Sequence, residues 1–296
     1  KNNSLKNIKN IKKIKQGTKG KAEKKIKNEV ESVDKKEIKE FSEKLQEIKK
    51  ELKKIIVGQD KIVDGLLRAL LCNGHVLVEG VPGTAKTLII RALGEVSGCD
   101  VSRIQFTVDL LPTDITGLTL YHEKRGFEII KGPIFTNFLV ADEINSAPPK
   151  TQSSLLEAMQ EKQVTIGKKT FFLPNPFFVM ATQNPLEQAG VYILPEAQID
   201  RFIFKLLIEY PERQEEKAIM KQNINLTPFD EFGLKKVITP KDILRMQELV
   251  KKVYLSNAIE DYITNLVEAT RNKKNSYSKY IEWGASPRAT INLFIA

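Results

Sequence analysis

Lys86 and Thr87 close the loop Gly80-Val81-Pro82-Gly83-Thr84-Ala85, and their types and spacing suit chemistry on a phosphate. The apolar run His75-Val76-Leu77-Val78-Glu79 before the loop reads as a buried strand, and Leu88-Ile89-Ile90-Arg91-Ala92-Leu93 after it begins a helical pattern. In a strand–loop–helix unit of this kind, successive backbone N–H groups turn inward to cradle an anion. The helix start adds its own free N–H groups and the positive end of its dipole. Residues Gly80 to Leu88 would form that cradle. Lys86 would reach the β- and γ-phosphates, and the Thr87 hydroxyl would hold Mg²⁺. The usual pattern has Gly directly before the Lys, where this chain has Ala85. A Cβ is tolerated there if the position has helical dihedrals and is strained if φ must be positive.

The second constellation is Phe138-Leu139-Val140-Ala141-Asp142-Glu143, an apolar strand ending in two acids. Acids are costly to bury without partners. Beside a phosphate loop, Asp142 would sit near Thr87 and the Mg²⁺, and Glu143 would orient the attacking water. Ligands of open α/β sheets bind at the C-terminal strand ends, which puts both motifs at one edge. Ala181-Thr182-Gln183-Asn184-Pro185 ends a further apolar run; Asn184 could reach the γ-phosphate or the water, or serve as a turn residue before Pro. Arg201 precedes a fifth run, in Leu194-Pro195-Glu196-Ala197-Gln198-Ile199-Asp200-Arg201-Phe202. Arg288 lies in Gly284-Ala285-Ser286-Pro287-Arg288-Ala289, one residue into a helix capped by Ser286. A cation is unfavourable at that end of a helix, which hints at a facing anion, although a surface ion pair is the commoner role of an isolated Arg. His75 and His122 have no second His or paired Cys nearby, which argues against a metal site on them.

The elements that must position these residues follow from hydrophobic patterning. Five short apolar runs, 75–79, 103–107, 138–142, 177–182 and 202–208, read as strands, and helical stretches separate most of them. Continuous apolar strands alternating with helices predict a parallel sheet covered on both faces. Phe41, Leu45, Ile48, Leu52, Ile55 and Ile56 predict an amphipathic helix before it. After Tyr210-Pro211 the pattern is helical throughout. Ile243, Met246, Val250 and Val253 share one predicted face, and Ile259, Tyr262, Ile263 and Leu266 another. The domains expected are a Lys-rich disordered tail over 1–40, an α/β core over 41–209 and an incomplete helical lid over 210–296.

Composition narrows the function classes. The chain has 296 residues, 41% of them hydrophobic, enough for a sizeable core. No apolar run approaches the roughly 18 residues that cross a bilayer, and no signal peptide opens the sequence. Cys72 and Cys99 are isolated, which fits packing roles and a reducing cytoplasm. Residues 1–40 hold 14 Lys against 6 Asp and Glu, so they supply +8 of the +10 net charge. The remainder is therefore close to neutral. It shows no interleaving of aromatic and basic residues, which argues against a nucleic-acid groove.

In this order these residues resemble the AAA+ ATPases, and among them the MoxR family. The resemblance covers about 41–296. It rests on Val57-Gly58-Gln59, the phosphate loop, the two acids, Asn145-Ser146-Ala147-Pro148-Pro149-Lys150-Thr151-Gln152, Ala158-Met159-Gln160-Glu161 and the three motifs holding Asn184, Arg201 and Arg288. It implies ATP and Mg²⁺ as cofactors, with Val57 and Gly58 packing on adenine. Asn184 would be the sensor-1 residue, Arg201 an arginine finger that reaches a neighbouring subunit's nucleotide, and Arg288 the sensor-2 residue of the lid. Similar proteins carry a hairpin inserted after the second strand, which Leu118–Tyr121 and Phe127–Ile130 could form near 117–131. They assemble as hexameric rings, often beside von Willebrand factor A domain proteins, and act as chaperone-like remodellers of protein clients. A nucleic-acid motor of the same hairpin-bearing branch is the alternative, and would account for the Lys-rich tail.

Overall fold

The computed structural model describes residues 35–80, 86–124, 126–184, 191–222, 228–274 and 276–296. Helix α1 (Lys35–Leu52) buries Phe41, Ile48 and Leu52 and leaves most of its charged side chains in solvent. It starts inside the segment read from sequence as a disordered tail. Glu37 there pairs with Arg245 at 2.9 Å, so residues 35–40 belong to the folded unit; residues 1–34 lie outside the described residues. Helix α2 (Asp60–Leu71) leads into β1 (Val76–Gly80), and α3 (Lys86–Ser97) connects β1 to β2 (Val101–Gln105). The short helix α4 (Pro112–Thr116) precedes an antiparallel hairpin of β3 (Gly117–His122) and β4 (Gly126–Lys131). After β5 (Phe138–Asp142) come α5 (Pro149–Glu161) and a second hairpin, β6 (Gln163–Ile166) with β7 (Lys169–Phe172). The core closes with β8 (Phe178–Gln183), α6 (Glu196–Ile199) and β9 (Phe204–Ile208). The last helices are α7 (Arg213–Gln222), α8 (Pro240–Val250), α9 (Asn257–Arg271) and α10 (Pro287–Ile295).

The five long-range strands form one sheet in the order β2-β5-β8-β1-β9, with every pairing parallel. Side chains alternate between its faces with period two. Val76, Val78, Val140 and Met180 point to the side covered by α1, α2 and α3, whereas Leu77, Leu139, Ala141 and Val179 meet Leu155, Leu156 and Met159 of α5 on the other. Cover on both faces is why the central strands β5, β8 and β1 read as unbroken apolar runs; the edge strands β2, which lies at 101–105 and not at the expected 103–107, and β9 carry Arg103, Gln105 and Lys205.

The helices after residue 210 divide between two environments. Ile243 and Met246 of α8 join the core formed with α1 and α2, and Gln247 Nε2 donates to the Leu70 carbonyl at 2.7 Å. Helix α9 instead buries Ile263 and Val267, and Ile259, Tyr262 and Leu266 stand in solvent. The apolar face predicted there is thus displaced around the helix, and Val253 lies past the end of α8 and is exposed.

His75 is structural. Its Nδ1 accepts from the Val179 N–H at 3.1 Å, and its Nε2 faces the Met159 carbonyl at 3.2 Å, which assigns the proton to Nε2. Burial lowers its pKa to about 4. An unfolded His titrates near 6.5, so between about pH 6.5 and 4 the unfolded chain binds a proton that the folded chain refuses. Stability is therefore full above that window and falls as pH drops through it, by about 3 kcal/mol in all. The expected result is a His75 imidazole that remains in its neutral Nε2–H form at pH 5.5, read by ¹⁵N NMR. A protonated His75 in folded protein at that pH would contradict it.

Candidate active site

Three neighbouring strands deliver the site. Glu79 of β1 is level with Gln183 of β8, and Ala141 of β5 is level with Ala181 of β8. Gly80, Asp142 and Asn184 therefore emerge along one sheet edge. Lys86 opens α3 and its Nζ donates to the Gly80 carbonyl at 2.5 Å, across the ends of the loop. Thr87 and Leu88 follow, half-buried, in the first turn of α3. Val81, Pro82, Gly83, Thr84 and Ala85 lie outside the described residues.

The two acids are held by a network. Asp142 Oδ1 accepts from the Thr182 hydroxyl at 2.5 Å, and the oxygen of that hydroxyl accepts from the Glu143 N–H at 2.9 Å. Thr182 is buried in β8 and so ties both acids to the strand carrying Asn184, itself 8% exposed. Glu143 has φ of +56°, in the left-handed region and uncommon for a residue with a Cβ. From β2, Arg103 Nη2 donates to Asp142 Oδ2 at 2.7 Å and to Gln105 Oε1 at 2.7 Å. Gln105 Nε2 then donates to Glu143 Oε2 at 2.6 Å. Arg103 and Gln105 were legible in the sequence only as strand residues. Their alternation, with both side chains on one face of β2 at the edge of the sheet, was the available signal.

A cleft of about 440 Å³ opens beside the same edge, lined by Gly58, Gln59, Asp60, Ile62, Leu207, Tyr210 and Glu215 among others. Gly58 has φ of +74°, and a Cβ on it would come within 2.5 Å of the Glu215 carboxylate. The dihedral favours glycine, whereas the Glu215 carboxylate ends a flexible side chain that can move aside. Val57 is half-buried next to it.

A family model described as "ATPase family associated with various cellular activities (AAA)" matches residues 75–204. Chaperone MoxR1 of Mycobacterium tuberculosis is 48% identical over 251 residues, spanning 83% of this chain and 66% of that protein. The uncharacterised protein YeaC of Bacillus subtilis is 45% identical over 248 residues, spanning 83% of this chain and 75% of its own length. The crystal structure of an ATPase candidate from Cytophaga hutchinsonii superposes with a TM-score of 0.80 at 43% identity, covering 90% of this chain and 82% of that one. This chain belongs to the MoxR family of AAA+ ATPases. The matched segment 75–204 of this MoxR-family ATPase contains the phosphate loop, both acids, Asn184 and Arg201; Arg288 lies beyond it.

The donor set fits a metal–nucleotide complex. A half-buried carboxylate, Asp142, already faces the guanidinium of Arg103, and a hydroxyl, Thr87, stands in the first turn of α3. Hard oxygen donors of this kind suit Mg²⁺.

Arg201 and Arg288 are placed elsewhere. The Ile203 N–H donates to the His75 carbonyl at 2.8 Å, so Arg201 lies where β1 and β9 begin, the sheet edge remote from Gly80 and Lys86. Arg288 lines the same pocket as Arg201. The site residues of this MoxR-family chain therefore fall into two groups on opposite edges of the sheet.

Proposed function

We propose that this chain hydrolyses ATP with Mg²⁺ within a hexameric cytoplasmic ring and uses the turnover to remodel a protein client. The observation that carries the reading is the joint placement of Asp142, Glu143 and Asn184 on the strand ends beside Gly80 and Lys86. Bound Mg²⁺ would supply charge neutralisation on the phosphates. Lys86 would leave the Gly80 carbonyl for phosphate oxygens, and Thr87 with Asp142 would hold the metal. Glu143 would accept a hydrogen bond from water aligned with the terminal phosphate, and Asn184 would fix that water or the phosphate from the far side. The cleft at Gly58 would take the adenine.

Remodelling is supported by the name chaperone borne by MoxR1 and by the β3–β4 hairpin. Tyr121 and Phe127 stand 65% and 78% exposed on it, with rings 5.2 Å apart, as an apolar grip for an unfolded segment. A von Willebrand factor A domain protein remains the proposed partner. The test is ATP turnover with Mg²⁺ or EDTA, alone and with an unfolded protein or single-stranded DNA, beside native mass spectrometry with nucleotide. The expected result is Mg²⁺-dependent turnover by a hexamer, raised by unfolded protein. Stimulation by DNA alone would favour a nucleic-acid motor instead.

A further inference from the structure

Gln152 lies in the first turn of α5, on the buried face that continues with Leu155 and Leu156 one turn later, and is itself fully buried. An amide is costly at such a position unless it is bonded. Side chains of a helix lean toward its N-terminus, so Gln152 reaches back over the segment that leads into α5. Its Nε2 donates to the carbonyls of Ile144 at 3.2 Å, Ala147 at 3.1 Å and Tyr192 at 3.0 Å. Two hydrogens serve three acceptors, so one of them is shared. Its Oε1, by contrast, is buried without a partner among the described residues. The amide works as a clamp on carbonyls.

The clamp holds two segments together. The first is the turn after the acids. Glu143 stands directly before the tight turn Ile144–Ser146, and its left-handed backbone persists only where its surroundings fix it. Before the turn, the Glu143 N–H donates to the Thr182 hydroxyl at 2.9 Å. Within it, the Ser146 N–H donates to the Glu143 carbonyl at 2.8 Å, and Gln152 takes the carbonyl of Ile144. The second segment is the connection that follows Asn184. Tyr192 donates its N–H to the Asn145 carbonyl at 2.7 Å and accepts from Gln152 through its own carbonyl. Both backbone groups of Tyr192 are thereby tied to the turn after Glu143 or to the clamp upon it. Two residues further on, Leu194 enters the core, and α6 then leads to Arg201.

We infer that Gln152 is a positioning residue for the water-orienting acid: it fixes the backbone at Glu143 and locks it to the connection between Asn184 and Arg201. The inference rests on the ATPase reading above. Loss of the amide frees the Ile144 carbonyl and the Tyr192 carbonyl at once, and the left-handed start of the turn loses one of its supports. The Glu143 carboxylate is then no longer held in line with the terminal phosphate. Gly80, Lys86 and the cleft at Gly58 take no part in the clamp, so nucleotide affinity should not depend on it.

The test is a double-variant cycle with Glu143→Gln. Gln152→Leu suits the apolar face and removes the unpartnered Oε1 together with the three bonds. It should lower kcat about tenfold to a hundredfold, as a small displacement of a catalytic group does. Nucleotide Kd, measured by calorimetry, should stay within about threefold of wild type, because the interaction lost belongs to the reaction step. Single-turnover hydrolysis of radiolabelled ATP then compares Glu143→Gln with Glu143→Gln/Gln152→Leu. There the second substitution should cost less than about twofold, because the carboxylate through which Gln152 acts is already gone. A loss of melting temperature, in contrast, should be the same in both backgrounds. Gln152→Met, which keeps the side-chain length, carries the cycle if the leucine variant does not fold. If kcat of the folded variant remains within about twofold of wild type, or falls by the same factor with and without the Glu143 carboxylate, Gln152 only supports the fold. The inference is then overturned while the ATPase reading stands. If wild-type protein shows no turnover at all, the ATPase reading is overturned and this inference with it.

Discussion

Arg201→Ala should lower ATP turnover by about 10³–10⁵-fold, the range that arginine fingers contribute in phosphoryl transfer, and leave nucleotide affinity near wild type. The physical reason is position. Arg201 is at the start of β9, across the sheet from Gly80 and Lys86. Its removal leaves the chain's own loop, its acids and the Gly58 cleft untouched. What would be lost, if Arg201 acts as proposed, is positive charge offered to a neighbouring subunit's phosphate as negative charge spreads over it. That interaction is stronger in the transition state than in the ground state, so kcat falls and binding does not. Equilibrium binding of a fluorescent ATP analogue, measured beside steady-state turnover, checks the split. A variant that binds at least tenfold more weakly, with kcat preserved, would place Arg201 in ground-state binding and remove the finger assignment.

Much of this architecture can be read from residues 75–208, for a specific reason. Strands covered on both faces must be apolar at every position, so Val76–Val78, Phe138–Ala141 and Phe178–Ala181 declare themselves without reference to their neighbours. A polar or charged residue where such a run ends, such as Asp142, is then conspicuous. The β6–β7 hairpin escapes the same reading because its strands are only four residues long and partly polar.

Periodicity reveals that a stretch is helical but leaves the angular origin of its buried face open. For that reason the predicted face of α9 at Ile259, Tyr262 and Leu266 lies in solvent, and Val267, outside the predicted set, is buried beside Ile263. The start of α1 was obscured by charge. Lys35 to Glu40 look like a solvated tail until Arg245, more than two hundred residues later, is seen to pair with Glu37. The networks around the site are hidden for the same reason. Arg103 and Gln105 reach Asp142 and Glu143 across 39 and 38 positions, and Ser286 reaches Asp200 across 86. Only the strand order β2-β5-β8-β1-β9 turns these separations into contacts.

Glu143→Gln should bind ATP with near-normal affinity and hydrolyse it at least about 10²-fold more slowly, the lower end of what a positioned acid–base group contributes. Lys86→Ala should fail earlier, at binding. The contrast follows from where each group stands before nucleotide arrives. Lys86 spans the ends of the loop through the Gly80 carbonyl, and in the proposed role its ammonium would meet phosphate in the ground state, so its loss should raise Kd together with lowering turnover. Glu143 is held to the side by Gln105 Nε2 and by its own left-handed backbone. In the proposed role it would touch water rather than phosphate, and an amide in its place keeps the shape and can turn its carbonyl oxygen to accept from Gln105 Nε2 as the carboxylate does. The substitution removes only the negative charge that attracts a water proton. Quenched-flow measurement of a single turnover, beside calorimetric binding, separates the two variants. Hydrolysis by Glu143→Gln within threefold of wild type would move the water-orienting role to another residue. Normal ATP affinity in Lys86→Ala would show that the backbone cradle binds the phosphates without it.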